Sequence, residues 1–376
     1  MTDFNRFHFG FIGLGLIGGS IAKAIRLYYP EARITAYNPS EDTLRQARDE
    51  GVVNDGHCKE EVKNGHPFNG EAFSDCDIVF LCAPVQKNAE NLAEIAPYLK
   101  NGAVLTDIGS TKSDIHRHVR EAGLSKFFIG GHPMTGSERT RYRNSSASLL
   151  ENAYYLLTPE PAAGQDKTAL LCSFVEGIRS LPLLLEPSFH DFAVAGISHV
   201  PHVVSASLVE LVRRSDNPDA VMHAIAAGGF KDITRISSSS AEMWREICLT
   251  NSGNIVKLLD SYIGILKQIK DSIASGSSED IYNFFDSARR YRGSFAETGS
   301  GARDRSFVIH VDIEDHPASL AEVVTLLAVN SVNIKNIGIT HNREYQQGVL
   351  RVEFYSESDQ TEAADILRTR NYTIYL

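Results

Sequence analysis

The chain has little cysteine, a single tryptophan and no excess of positive charge. Its five cysteines, Cys58, Cys76, Cys82, Cys172 and Cys248, form no CxxC pair and no metal-ligand spacing. Their number is odd, which speaks against a disulfide framework and for free thiols in a reducing compartment. Lys and Arg total 37 against 47 Asp and Glu, a formal charge of -10. That balance argues against a general affinity for nucleic acid or an anionic membrane, so any anionic ligand has to be met by local cations. No segment approaches the ~18 uninterrupted apolar residues of a membrane span. The amino terminus carries only Arg6 before a strand-like run, without a cleavable signal pattern. A cytoplasmic protein is expected.

What is present is ordinary for a globular chain: 43% apolar and 22% charged residues over 376 positions, more than one hydrophobic core usually supports. Two or three domains are expected. Phe7 to Ile12 reads as a buried strand, followed by Gly13-Leu14-Gly15-Leu16-Ile17-Gly18 and an apolar helix to about Tyr28. Strand candidates at Arg33 to Tyr37, Asp77 to Cys82, Ala103 to Thr106 and Phe127 to Ile129 alternate with helical stretches, the pattern of a doubly wound parallel sheet. Asn54 to Ser74 is long for a connection and finds no place in that scheme.

From Ser188 to about Tyr291 long helical patterns take over, and Ile255, Leu258, Leu259, Tyr262, Leu266, Ile269 and Ile273 form one apolar stripe. Such a stripe has to be covered, by the same chain or by a second copy. A Gly/Ser/Thr-rich linker at Gly293 to Gly301 precedes a small block of order βαββαβ, a ferredoxin-like sandwich. The expected division is 1–186 dinucleotide-binding, 187–293 all-helical, and 303–376.

A lone GxGxxG is weak evidence, but here it follows a strand and opens a helix. Gly13 permits the tight turn, Gly15 lets backbone approach a pyrophosphate, Gly18 allows close helix packing, and Leu16 and Ile17 bring free N–H groups of the helix start to the phosphates. About 20 positions on, where an acidic residue usually holds the adenosine ribose, stands Asn38. Asn can bond the hydroxyls without repelling a 2′-phosphate. No Arg follows directly, which favours NAD and leaves NADP open. Polar runs at Asp107 to Lys112 and at Gly130 to Glu138 fall after strands, where such sheets bind ligands. His132, on a Gly-Gly-His-Pro run, is a candidate working side chain. His199 and His202 lack a thiol or carboxylate partner at ligand spacing, so no metal is expected.

Taken together, GlyLeuGlyLeuIleGlyGly, AspIleGlySerThrLys, GlyGlyHisProMetThrGlySerGlu, SerHisValProHis and GlyGlyPheLysAspIleThrArgIle resemble the prephenate dehydrogenase family in order and spacing, over about residues 7 to 292. The resemblance implies oxidative decarboxylation of prephenate to 4-hydroxyphenylpyruvate in tyrosine biosynthesis, with a nicotinamide as hydride acceptor. It implies His132 as the base that takes the ring hydroxyl proton. Ser110 matches a serine that bonds that hydroxyl and the histidine beside the cofactor, and Arg235 matches an Arg that grips a substrate carboxylate. Ser198, His202 and Glu138 match pocket positions, while Asp232 and Trp244 look like supports for Arg235.

The last block is similar to an ACT domain, a regulatory module that binds amino acids, which implies a tyrosine effector. Many members carry Asp-x-Pro-Gly at the first strand-to-helix turn; here the run is Asp315-His316-Pro317-Ala318. Ala318, Asn333 and Asn336 are its ligand-side positions. The expectation is a homodimeric enzyme. Its rivals are an arogenate dehydrogenase, a general β-hydroxyacid dehydrogenase, and an inactive amino-acid sensor.

Overall fold

The computed structural model describes residues 2–58, 68–84, 87–136, 140–298, 307–313, 318–340 and 348–375. The chain divides into two compact units, Met1–Ala296 and Glu297–Leu376. In the first, β1 (His8–Ile12), α1 (Leu16–Tyr28), β2 (Arg33–Tyr37), α2 (Glu41–Asp49), β3 (Asp55–His57), β4 (Ile78–Leu81), α3 (Asn88–Ile95), β5 (Val104–Asp107) and α4 (Ser113–Glu121) follow in turn. The strands lie in the parallel order β3-β2-β1-β4-β5. Order reverses between β1 and β4, so a crevice opens beyond their carboxyl ends, where doubly wound folds bind ligands. The unplaced stretch after Asn54 supplies the edge strand β3.

The central strands are apolar on both faces because helices cover both. Ile78 and Phe80 enter one core with Phe9, Phe11 and Phe174, while Val79 and Leu81 enter the other with Ile12 and Leu105. Phe11 stacks on Phe80 at 4.9 Å between ring centroids. Burial of each such ring stabilises the fold by roughly 1.5–3 kcal/mol. This sheet is what makes the Gly13 turn a fixed platform.

A second sheet continues from β5 through a parallel bridge between Leu105 and Phe128. It contains β6 (Ile129–Pro133), β7 (Tyr154–Pro159) and, after α5 (Gln165–Gly177), β8 (Leu181–Leu184). β6 and β7 run antiparallel, with His132 opposite Leu156. The sequence pattern ends the strand at Ile129 and leaves His132 in the polar run after it. His132 in fact stands inside β6, because the pairing with β7 extends the strand to Pro133.

A continuous helical run then carries α6 (Pro187–Val194), a π-helical turn at Ala195–His199, and α7 (Val200–Ser215). It is long and apolar enough to cross a membrane. Its inner side, however, buries His190, Asp191 and His199, and α6 packs on α4 and β7. The remaining helices of this unit are α8 (Val221–Ile225), α9 (Gly228–Thr234), α10 (Ala241–Thr250), α11 (Ser252–Ser275) and α12 (Ser278–Thr298). Only the first residue of the α11 stripe, Ile255, is buried; Leu266 and Ile273 stay exposed.

The second unit has β9 (Phe307–Ile313), α13 (Ser319–Val329), β10 (Ile334–Thr340), β11 (Gly348–Phe354), α14 (Glu357–Thr369) and β12 (Ile374–Tyr375). The antiparallel order β10-β11-β9-β12 is that of a ferredoxin-like sandwich, as the sequence pattern predicts. Alternating residues Ile309, Val311, Leu350 and Val352 meet Val323 and Leu327 of α13 and Leu367 of α14.

Candidate active site

The glycine turn sits at the crevice. Gly13 has φ +103°, a backbone conformation in the left-handed range, and a Cβ there would lie 3.0 Å from the Cys82 backbone. Among the described residues, chain neighbours aside, no heavy atom comes within 4 Å of where a Cβ on Gly15 would be, and α1 begins at Leu16 without a side-chain cap from them. Its first N–H groups, from Leu16 and Ile17 on, therefore face open space, a fit for a pyrophosphate. The Asn38 side chain holds the turn from the end of β2. Its Oδ1 accepts the Leu14 N–H at 3.0 Å and its Nδ2 donates to the Ser40 carbonyl at 3.3 Å. The side chain thus ties the turn to the end of β2.

At the end of β5, buried Asp107 organises the adjoining loop. It accepts the N–H groups of Gly109 at 2.9 Å and Gly131 at 3.1 Å, and pairs with Lys112. Lys112 is fully buried, and its Nζ also donates to the Gly131 carbonyl at 2.7 Å. Burial pulls its pKa down, opposed by Asp107. A Cβ on Gly131 would stand 2.6 Å from the Asp107 carbonyl oxygen, so only glycine lets β6 approach β5 this closely. This ion pair fixes the strand segment just before His132.

His132 is half-buried, and its Nδ1 lies 2.9 Å from His190 Nε2. His190 Nδ1 lies 2.9 Å from Asp191 Oδ1. Asp191 also accepts the backbone N–H of Lys112 at 2.7 Å and of Ser113 at 2.8 Å, capping α4. Burial alone would raise the Asp191 carboxyl; the bonds from His190, Ser113 and Lys112 outweigh it and hold it at about 2. The pKa of His132 is pushed well below its usual value by burial, with the cationic forms of His190, Lys112 and His199 adding to the effect. The imidazole is therefore neutral at physiological pH, the form that accepts a proton.

Beyond it the π-helical turn brings in His199, buried and lowered to about 4 by burial. Asn251 links this histidine to α6, with its Nδ2 3.2 Å from His199 Nδ1 and donating to the Asp191 carbonyl at 2.7 Å. Trp244 meets His199 edge-on at 5.9 Å and stacks on His202 at 3.8 Å. Its indole Nε1 is buried without a hydrogen bond among the described residues. His202 Nδ1 donates to the Ser198 carbonyl at 2.8 Å. The pKa of His202 is lowered by burial, against the opposing bond to the Ser198 carbonyl, and further by the nearby Arg235 guanidinium. His132, His199, Trp244, His202 and Arg235 are thus linked in turn by electrostatic and ring contacts.

Other expected site residues stand differently. Ser110 is half-exposed and makes no hydrogen bond among the described residues; His132 pairs with His190 rather than with Ser110. Ser198 contributes its carbonyl. Asp232 is exposed and has no side-chain bond or ion pair among the described residues, so it does not brace Arg235. Glu138 lies outside the described residues, as do Asp315, His316 and Pro317. In the second unit Asn333, Asn336 and Ala318 are exposed, and Ala318 takes φ +84° just before α13. No cluster of three metal-ligating side chains occurs among the described residues.

Sequence reasoning missed His190, Asp191 and Asn251, and weighed His199 only as a metal ligand. The available signal was an adjacent His-Asp pair within an otherwise apolar helix, since a buried carboxylate needs partners.

Fold and site define a dehydrogenase of the doubly wound class with a helical second half. The prephenate dehydrogenase nucleotide-binding domain family matches residues 21–181, and the prephenate dehydrogenase dimerization domain family matches residues 186–287. A prephenate dehydrogenase of Bacillus subtilis is 33% identical over 95% of this chain and 95% of its own. One of Lactococcus lactis is 31% identical over 96% of this chain and 98% of its own. Among solved structures, the Aquifex aeolicus prephenate dehydrogenase in complex with hydroxyphenyl propionate and NAD+ aligns with TM-score 0.70 and 27% identity, covering 77% of this chain and 98% of that one. The chain belongs to the prephenate dehydrogenase family.

Proposed function

We propose that the chain oxidatively decarboxylates prephenate to 4-hydroxyphenylpyruvate with NAD as acceptor, a step toward tyrosine. The observation that carries this reading is the series of contacts from a neutral imidazole, His132, through His199, Trp244 and His202 to a guanidinium, Arg235. Prephenate needs both: a base for its ring hydroxyl and a fixed cation for a carboxylate. NAD fits the turn through Gly13, Gly15 and Gly18 and the N–H groups of Leu16 and Ile17. When bound, it supplies the hydride acceptor.

In this reading His132 Nε2 takes the proton of the ring hydroxyl while Ser110 orients that hydroxyl. Loss of the ring carboxylate as carbon dioxide completes an aromatic ring, which makes the step effectively irreversible and requires no metal. Arg235 holds the remaining carboxylate by two parallel hydrogen bonds. His202, kept on Trp244 by stacking, and Ser198 belong to the same substrate site. Residues 1–186 bind the dinucleotide and 187–293 bind substrate. The exposed apolar stripe of α11 pairs two copies into a cytoplasmic homodimer. Residues 303–376 form an ACT domain that senses tyrosine through Ala318, Asn333 and Asn336.

The test is reduction of NAD and of NADP by the purified protein with prephenate and with arogenate, with and without tyrosine. Faster turnover of arogenate would replace the substrate assignment. Inhibition by tyrosine should vanish in a chain ending near Gly299; equal inhibition of both would put the effector at the active site.

A further inference from the structure

We infer that His190, held by Asp191, is a positioning residue that fixes His132 as the tautomer with its proton on Nδ1 and its lone pair on Nε2. The inference rests on His132 as the base of the proposed reaction. A neutral imidazole has one donor and one acceptor nitrogen, and the hydrogen bond at one nitrogen decides the other. Three groups in a row set the direction here. Asp191 is a carboxylate and can only accept, so His190 Nδ1 must carry the proton in the 2.9 Å bond between them. Neutral His190 then has a bare Nε2. That nitrogen faces His132 Nδ1 at 2.9 Å, and a bare nitrogen needs a donor, so the His132 proton sits on Nδ1.

Asp191 cannot reverse this order. Its two oxygens are already committed to the Lys112 and Ser113 N–H groups as well as to His190, so they stay acceptors. The carboxyl, at about 2, is ionised throughout the working range. His190 and Asp191 are buried, which keeps water from substituting as a donor to His190 Nε2. When the substrate O–H bond breaks, its proton forms a bond to His132 Nε2, and the imidazolium keeps its Nδ1–H on His190. Among the described residues, the charged and titratable groups facing His132 are His190 and Asp191 from α6, Lys112 from the loop before α4, and His199 from the π-helical turn. Of these, the carboxylate of Asp191 is the group that stabilises the new positive charge, one ring away.

The test uses the full chain with 15N-labelled histidine, its His132 signals assigned by their loss in His132→Asn. At neutral pH the proton should reside on Nδ1 of His132; a proton on Nε2 overturns the inference. Two variants supply the kinetic readout. His190→Phe removes the acceptor and should lower kcat by ~10²-fold to 10⁴-fold, the range for a catalytic histidine left in the wrong tautomer, with KM for both substrates within a few-fold. His190→Gln offers an amide oxygen near the lost Nε2 and should keep kcat within about 10-fold of the parent. Equal loss in both variants, or an unchanged kcat in His190→Phe, also overturns it. If His132→Asn retains full kcat while the tautomer is as inferred, the base assignment fails instead.

Discussion

His132 and His190 are 58 positions apart in the chain, yet their ring nitrogens are 2.9 Å apart, one on strand β6 and the other on helix α6. The strand belongs to the dinucleotide-binding half and the helix opens the helical half. The proposed base is thus assembled only when the two halves dock. Removing its imidazole should cost little else. His132→Asn is expected to lower kcat by ~10²-fold to 10⁴-fold, with modest change in KM. Steady-state rates decide this; an unchanged kcat removes His132 from the mechanism.

Burial and the surrounding cations depress the His132 pKa well below its usual value. The neutral, proton-accepting form therefore persists on acidification past pH 6.5, the unperturbed value. The acid limb of kcat/KM against pH should lie below that point, provided the fold is intact there. A limb centred at or above 6.5 would mean that a different, more basic group limits the reaction.

Arg235 lies close enough to His202 to depress its pKa. Arg235→Gln should mainly raise KM for prephenate and leave cofactor affinity unchanged. Cofactor affinity is read by fluorescence titration. A selective loss there would contradict the assignment.

Asp191 contributes to stability through its depressed carboxyl. Its pKa falls from near 3.9 in the unfolded chain to about 2 in the folded one. The contribution is full above the unfolded value and is lost as pH falls toward the folded one, on the order of 2 kcal/mol. Asp191→Asn should lower Tm at neutral pH, and the difference from the parent should shrink between about pH 4 and pH 2. A Tm difference that does not change with pH would show the cap, rather than the charge, to be what matters.

Ala318 occupies φ +84°, a conformation that costs an L-residue roughly 1–2 kcal/mol and glycine nothing. Part of that gain is offset by the greater freedom of glycine in the unfolded chain. Ala318→Gly should stabilise the carboxy-terminal unit by about 0.5–1 kcal/mol, seen as a higher midpoint in urea. Destabilisation would mean that the side chain is packed rather than strained.

Features encoded locally were legible in the sequence. The strand, the GxGxxG turn and α1 lie within one stretch, and the alternation in β9 and β11 reports its own buried face. His132 was marked by its flanking glycines and proline. What stayed hidden depends on partners far away in the chain. Lys112 reads as a loop cation but is fully buried, because Asp107 and the Gly131 carbonyl receive it. His190 and Asp191 read as polar interruptions of an apolar helix until β6 and α4 are set against them. Asn38 stands at the ribose position by spacing, while the Leu14 N–H claims its oxygen.

One measurement tests the central claim most directly: paired stoichiometry of reduced NAD and carbon dioxide from prephenate, for the parent protein and for His132→Asn. Equal amounts of the two products from the parent, with both falling together in the variant, are the predicted result. Reduced NAD without carbon dioxide, or full production of both by the variant, would contradict it.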